Sequence, residues 1–259
     1  MAEATWKTAI TKIEPNKILL SGYPIVDLMG KVTLAEAFWL ALRGELPSRE
    51  LGRLLDAILV SSIDHGVTPP SALACLTAAS TGATLNAAVA AGVLAINRYH
   101  GGAIEDCMKA LAEVRELTRS GQPLASACSA VASAYKARKE RIAGFGHRVH
   151  TNDPRSARLF ELARVARVAA QEIEIALSLE QTLGVGTGKK LPINVDGAIA
   201  AVLLGLGVDP RVANAFFIVA RVPGLVAHAL EEWSRQKPMR VISPTDHEYD
   251  GPPERKLER

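Results

Sequence analysis

The chain has 259 residues, of which 48% are hydrophobic and only 5% aromatic, and its formal net charge is +3. That is enough apolar material for one substantial core, which excludes a disordered chain, and the excess of alanine and leucine over β-branched and aromatic residues predicts helices packed on helices. The positive residues are scattered rather than gathered into a run, which argues against nucleic acid as a partner and leaves room for small anions.

The opening residues 1–17 lack a basic segment followed by an apolar one, and no uninterrupted apolar stretch reaches bilayer length. A cytoplasmic protein that does not contact membranes is therefore expected. Residues 10–30, "ITKIEPNKILLSGYPIVDLMG", alternate apolar and polar side chains between turn residues and predict a short extended arm or hairpin. Helices follow. "TLAEAFWLALRG" has Thr33 with Glu36 three residues on, a capping-box pattern, and stops at Gly44; "SRELGRLLDAILVSSIDHG" starts at a Ser48 cap and is expected to run to Gly66. The long alanine-rich run from Pro69 to Leu117 is broken at Gly82 and at Gly101-Gly102, and being apolar on all sides it predicts central helices. A helix from Gln122 comes next, then the glycine turn "GFGHRVHTNDPR", then one polar-faced helix from Asp153 to about Leu183. "GVGTGKKLPINV" reads as a loop, "DGAIAAVLLGLG" and "DPRVANAFFIVARVPGLVAHALEEWSRQ" as helices, and the tail from Lys237 as extended.

Three cysteines, Cys75, Cys107 and Cys128, have neither metal-ligand nor CxxC spacing and read as free buried thiols. Four of six histidines, His65, His100, His147 and His150, lie beside glycine or at predicted helix ends, where a polar side chain can reach a cleft. Three familiar chemistries fail on spacing. There is no HExxH or Cys/His cluster for a metal, no glycine-flanked nucleophile for a hydrolase, and "GVGTGKK" is not a phosphate-binding GxxxxGK[ST] loop. Acid/base chemistry on an anion remains: histidine exchanges protons near neutrality, a carboxylate such as Asp196 can act as a base, and arginines hold carboxylates by paired hydrogen bonds. For Asp196 a plain helix N-cap is the competing reading, and for Arg221, set in an apolar helix, an internal salt bridge is.

With these positions assembled, the chain resembles the citrate synthase superfamily over nearly its whole length. The segment "GYPIVDL…TLAEAFWLALRGELPSREL" and, in order, "HGGA" at His100, "GFGHRVHTNDPR" and "NVDG" at Asn194 carry the resemblance. It implies an all-α, citrate-synthase-like fold with short extended arms, a large domain over about 1–102 and 192–259, and a small lid domain over about 103–191. It implies that Asp196 and His147 are the proton-transferring groups and that His100 stabilises an enolate, these three being catalytic. His65, Arg148, Arg155 and Arg221 would hold the dicarboxylate. Gly144, Phe145, Gly146 and Lys190 would meet coenzyme A, with Lys139, Arg141 and Lys189 near its phosphates. His150 is solvent-facing or beside the ligand. The resemblance further implies a homodimer or a higher assembly, with no metal, no tightly bound cofactor and a coenzyme A thioester as substrate.

Two departures from the synthase pattern stand out. Ile242-Ser243-Pro244 and Thr245 occupy the place of a carboxy-terminal arginine motif, for which Arg240 is a substitute candidate, and Ser62 replaces a first histidine while glycine follows His65. The run "DHG" with "NVDG" is closer to the citryl-CoA cleavage module of ATP-citrate lyase. The chain most resembles citryl-CoA lyases, which split citryl-CoA into acetyl-CoA and oxaloacetate. The alternatives are citrate synthase, a 2-methylcitrate-type acyltransferase, and a silent coenzyme A-binding or scaffold subunit.

Overall fold

The architecture is that of a computed structural model, described over residues 6–146, 152–188, 190–239, 250, 251 and 253. The arm forms as expected: β1 (Thr11–Glu14), β2 (Lys17–Leu20) and β3 (Tyr23–Pro24) make an antiparallel meander, with Thr11 opposite Leu20 and Leu20 opposite Tyr23. Helices α1 (Ile25–Leu28), α2 (Leu34–Arg43), α3 (Arg49–Ser61), α4 (Pro70–Ser80), α5 (Leu85–Leu94), α6 (Ala103–Arg119), α7 (Leu124–Ala137), α8 (Pro154–Val165), α9 (Ala170–Thr187), α10 (Val195–Gly205) and α11 (Pro210–Arg235) complete the all-α body.

Local chemistry accounts for most of these boundaries. The Thr33 hydroxyl accepts from the Glu36 N–H while the Glu36 carboxylate accepts from the Thr33 N–H, and α2 ends at a left-handed Gly44. Ser48 caps α3, and α4, α8 and α11 each have proline in the first turn, where a missing N–H costs nothing.

Helix α10 is the hub. Nearly every residue from Val195 to Leu204 is buried, because α6, α8 and α9 pack around it. One hydrophobic core runs without interruption from Ala35 through these helices to Phe217, and a smaller one (Cys75, Ala79, Ala88, Leu225, Ala229) joins α4, α5 and α11. All three cysteines are free and buried, as expected.

Three expectations need correction. Helix α3 stops at Ser61 rather than Gly66, because the Asp64 carboxylate turns the chain by accepting from the Gly66 N–H. The expected helix from Asp153 to Leu183 is two helices, broken where Arg167 and Ala169 take positive φ; Gly205 of α10 packs against Ala169 there, and no glycine or proline announces the break. Helix α9 continues to Thr187, absorbing the first residues of the expected loop. Helix α11 has the length and mean composition of a bilayer-crossing helix, but Arg221 interrupts its apolar run and half of that run is buried within the fold.

Candidate active site

The amino-terminal turn of α10 carries Asp196. Asn194, not Asp196, is the N-cap: its side-chain oxygen accepts from the N–H groups of Asp196 (3.0 Å) and Gly197 (3.1 Å). The Asp196 carboxylate is thereby left out of capping and free for chemistry. It keeps part of its surface open while lying deep among protein atoms, and burial raises its pKa to about 6. Arg155 opposes that rise, Asp153 adds to it, and Arg221 opposes it more weakly. A carboxyl that titrates near neutrality can both take and return a proton.

The glycine turn is seated directly on this helix end. The Asn194 N–H donates to the Gly144 carbonyl (3.0 Å), the Asn194 amide donates to the Gly146 carbonyl (2.9 Å), and the Gly146 N–H donates to Pro192 (2.7 Å). The approach needs glycine on both sides. Gly144 has φ +85°, and a Cβ there would come within 2.6 Å of the Cys107 sulfur, while a Cβ on Gly197 would collide with the Gly144 carbonyl. The Cys107 thiol beneath is pushed well up by burial, with Asp196 and Asp106 adding to the shift, so it is not a nucleophile.

Two arginines face Asp196 electrostatically, and adjacent carbonyls of one turn hold them. Arg155 Nη1 donates to the Ser61 carbonyl (3.2 Å), and Arg221 Nε donates to the Ser62 carbonyl (3.1 Å). Arg155 is further fixed by a two-pronged pair with Asp153 (Nε–Oδ1 3.0 Å, Nη2–Oδ2 2.9 Å). The same Asp153 caps α8 and accepts from the Val195 N–H (3.0 Å), so one wholly buried carboxylate ties the arginine to the helix that bears Asp196. Burial would raise the Asp153 carboxyl, but the hydrogen bonds and charge of Arg155 outweigh it and hold the pKa below the ordinary value.

Arg221 is buried at 3% exposure, over the face of Phe217 (4.8 Å). Among the described residues it makes no ion pair, so the competing reading of an internal salt bridge is not supported, and its Nη1 has no hydrogen-bond partner among them. Burial lowers its pKa, with Asp64 and Asp196 pulling the other way.

His100 sits in a tight loop before α6, closed by paired hydrogen bonds between the Asn97 and His100 backbones (2.8 and 2.9 Å). Its ring meets Phe217 edge to face at 5.6 Å, and its Nε2 lies 2.8 Å from the Ser71 hydroxyl. Burial first, then the Arg221 charge, lower its pKa, so the imidazole is neutral at physiological pH. Phe217 therefore touches both His100 and Arg221, and Arg221 acts on Asp196 through its charge.

Of the other expected site residues, His65 is exposed on the turn after Asp64, whose carboxylate bonds His228 of α11 at 2.8 Å. Phe145 is buried and pairs with Ile193. Lys190, Lys139 and Arg141 are exposed. Arg141, Ile142, Phe145 and Leu191 border a 690 Å³ apolar cavity between α7 and α9 that Lys136 also lines. His147, Arg148, His150, Lys189, Arg240 and residues 242–245 lie outside the described residues. Sequence reasoning missed Ser71, Asp153 and Asn194 as site builders. Asp153 and Asn194 were legible as caps, but their second bonds reach residues 42 and 48 positions away.

Residues 47–244 match the family model for the citrate synthase carboxy-terminal domain. The chain belongs to the citrate synthase family. It is similar to "Citrate synthase 2" of Bacillus subtilis, 32% identical over 86% of this chain and 58% of that one; it thus spans little more than half the length of that curated relative. Among solved structures it is similar to citryl-CoA lyase from Hydrogenobacter thermophilus, with TM-score 0.87 and 42% identity over 98% of each chain. It shares its fold with ATP citrate lyase of Methanosaeta concilii, solved in complex with (3S)-citryl-CoA (TM-score 0.84, 22% identity, 98% of this chain and 43% of that one). The expected all-α citrate-synthase-like fold is thus observed, and the likeness to both lyases agrees with the sequence resemblance.

Proposed function

We propose that this member of the citrate synthase family is a citryl-CoA lyase, cleaving citryl-CoA reversibly to acetyl-CoA and oxaloacetate. The observation that carries the reading is the Asp196 carboxyl, raised to about 6 in the field of Arg155 and Arg221, together with a His100 of lowered pKa whose ring packs on the same Phe217 that lies beneath Arg221. That set supplies what cleavage through an enolate needs: a proton donor and acceptor near neutrality, a donor for enolate oxygen and cations for carboxylates.

In the cleavage direction a base takes the citryl hydroxyl proton as the hydroxyl carbon becomes the ketone of oxaloacetate. The bond to the acetyl carbon breaks, and its electron pair moves into the thioester as an enolate. His147 is assigned to the first proton by family resemblance alone. A Ser71 hydroxyl that donates to Nε2 leaves Nδ1–H of His100 as the donor to enolate oxygen. Protonated Asp196 then delivers its proton to the enolate carbon. Arg155 and Arg221, and with them Arg148 and His65, hold the carboxylates. The coenzyme A arm runs along Gly144–Gly146 toward Lys190, with the apolar cavity at Arg141 and Phe145 for its base and the basic rim for its phosphates. We further propose closure of the 103–191 segment over this site and assembly as a homodimer, which light scattering on the purified chain checks.

Citrate synthase activity is the second reading, favoured by the name of the Bacillus subtilis relative. One experiment separates them. The protein is incubated with acetyl-CoA and oxaloacetate while free thiol is followed, and with citryl-CoA while oxaloacetate is followed. Oxaloacetate from citryl-CoA without thiol release supports the lyase. Steady thiol release from the first mixture establishes a synthase, and activity in neither mixture overturns both.

A further inference from the structure

The turn after α3 presents the Ser61 carbonyl to Arg155 and the Ser62 carbonyl to Arg221, the two arginines whose charges act on Asp196. Both acceptors are backbone groups, so the aim of each guanidinium depends on where the turn itself is held. Helix α11 holds it along one face. Arg221, Gly224 and His228 stand three and then four residues apart, the spacing that stacks side chains on one side of a helix. The turn is laid along them in order. Arg221 Nε donates to the Ser62 carbonyl, Gly224 lies under Ile63, and His228 Nε2 lies 2.8 Å from Asp64 Oδ1. The glycine is required for that approach, since a Cβ at position 224 would collide with the Ile63 carbonyl and come within 3.3 Å of the Asp64 side chain.

Asp64 is the far end of this seam. Its Oδ2 accepts from the Gly66 N–H at 2.8 Å, which makes the turn, and its Oδ1 meets His228, which ties the turn to α11. Burial pushes the Asp64 carboxyl up, but the hydrogen bonds from Gly66, His228 and His65 outweigh burial and hold the pKa below the ordinary value. An ionised carboxylate only accepts, so Nε2 of His228 carries the proton and donates. The Asp64 charge also favours the charged form of Arg221. With the His228 side chain 11% exposed and that of Asp64 39%, the pair is too open to contribute much to overall stability. Its consequence lies in geometry.

We propose that His228 is a positioning residue of the dicarboxylate site: by donating to Asp64 it sets the turn whose carbonyls aim Arg155 and Arg221. This rests on the reading of those arginines as carboxylate holders. His228 acts through Asp64 and the turn, at a distance of seven residues along α11 from Arg221, and is assigned no contact with substrate.

The test uses the full chain with His228→Ala, His228→Gln, Asp64→Ala and the double variant of the two alanine changes. Glutamine keeps an N–H donor on a side chain of similar reach. Isothermal titration is carried out with oxaloacetate, with citrate and with coenzyme A, and thermal melting is recorded without ligand. His228→Ala should bind oxaloacetate and citrate about tenfold more weakly, the scale of one hydrogen bond to a charged group, with coenzyme A binding unchanged. His228→Gln should recover most of that loss. Adding His228→Ala to Asp64→Ala should weaken binding no further, because the two side chains act as one unit. A merely structural histidine lowers the melting temperature and leaves dicarboxylate affinity intact, an outcome that overturns the proposal. Glutamine as weak as alanine, or losses that add in the double variant, overturns it too, since the bond to Asp64 is then not what matters. If the parent protein binds neither oxaloacetate nor citrate, the dicarboxylate reading itself falls, and the proposal with it.

Discussion

Replacing Asp196 by asparagine should cripple the enzyme and stabilise the protein. Folding raises the pKa of this carboxyl from 3.8 to about 6, so the folded chain binds its proton more tightly than the unfolded chain does. Between those values the unfolded state releases the proton first, and stability is lost as pH rises toward 6. With about 1.4 kcal/mol for each pKa unit, the ionised carboxylate costs about 3 kcal/mol at pH 8 and about half of that at pH 5. Asparagine keeps the shape without the titration. The variant should therefore unfold at a higher denaturant concentration than the parent at pH 8, with a margin that narrows by about half at pH 5. Its turnover should fall by at least roughly a hundredfold, as for the loss of a positioned acid or base. Urea unfolding at the two pH values, followed by circular dichroism, reads the first effect, and the citryl-CoA assay reads the second. A margin independent of pH, or a variant less stable than the parent at pH 8, would refute the burial argument.

Other outcomes follow from the same geometry. Asp153→Ala should destabilise the fold by about 3 kcal/mol in urea, since it strips a buried carboxylate from Arg155 and leaves the Val195 N–H without its acceptor. Gly197→Ala forces a methyl group into the Gly144 carbonyl; a loss of about 2–3 kcal/mol or insoluble expression is expected, and a parent-like melting curve would contradict the close approach. Ser71→Ala should lower turnover about tenfold with dicarboxylate binding intact, because it frees the Nε2 of His100 and with it the choice of tautomer; an unaltered rate would remove Ser71 from the site.

Much of the fold is legible locally because caps, proline and glycine act within a few residues. Thr33 with Glu36, Ser48, Asp209 and the glycine stops mark helix ends wherever the chain is placed. The break between α8 and α9 is illegible for the converse reason. Arg167 and Ala169 take positive φ without glycine, and the contact of Ala169 with Gly205 that accompanies the break comes from a helix more than thirty residues on. The end of α3 is intermediate: Asp64 is a turn former in any context, yet Gly66 is the more conspicuous stop.

By itself the sequence determined that the chain is helical, where most helices begin, that no metal motif is present, and that its histidines, arginines and Asp196 stand in motifs that resemble those of the citrate synthase family. Only the tertiary structure decided which of them act on one another. The bonds that build the site join residues far apart in the chain: Arg155 to Ser61 over 94 positions and Arg221 to Ser62 over 159. The pKa of Asp196 depends on how deeply α10 is buried and on two arginines brought from α8 and α11. Burial and distance are properties of the packed chain, and electrostatic energies follow them far more steeply than they follow residue type.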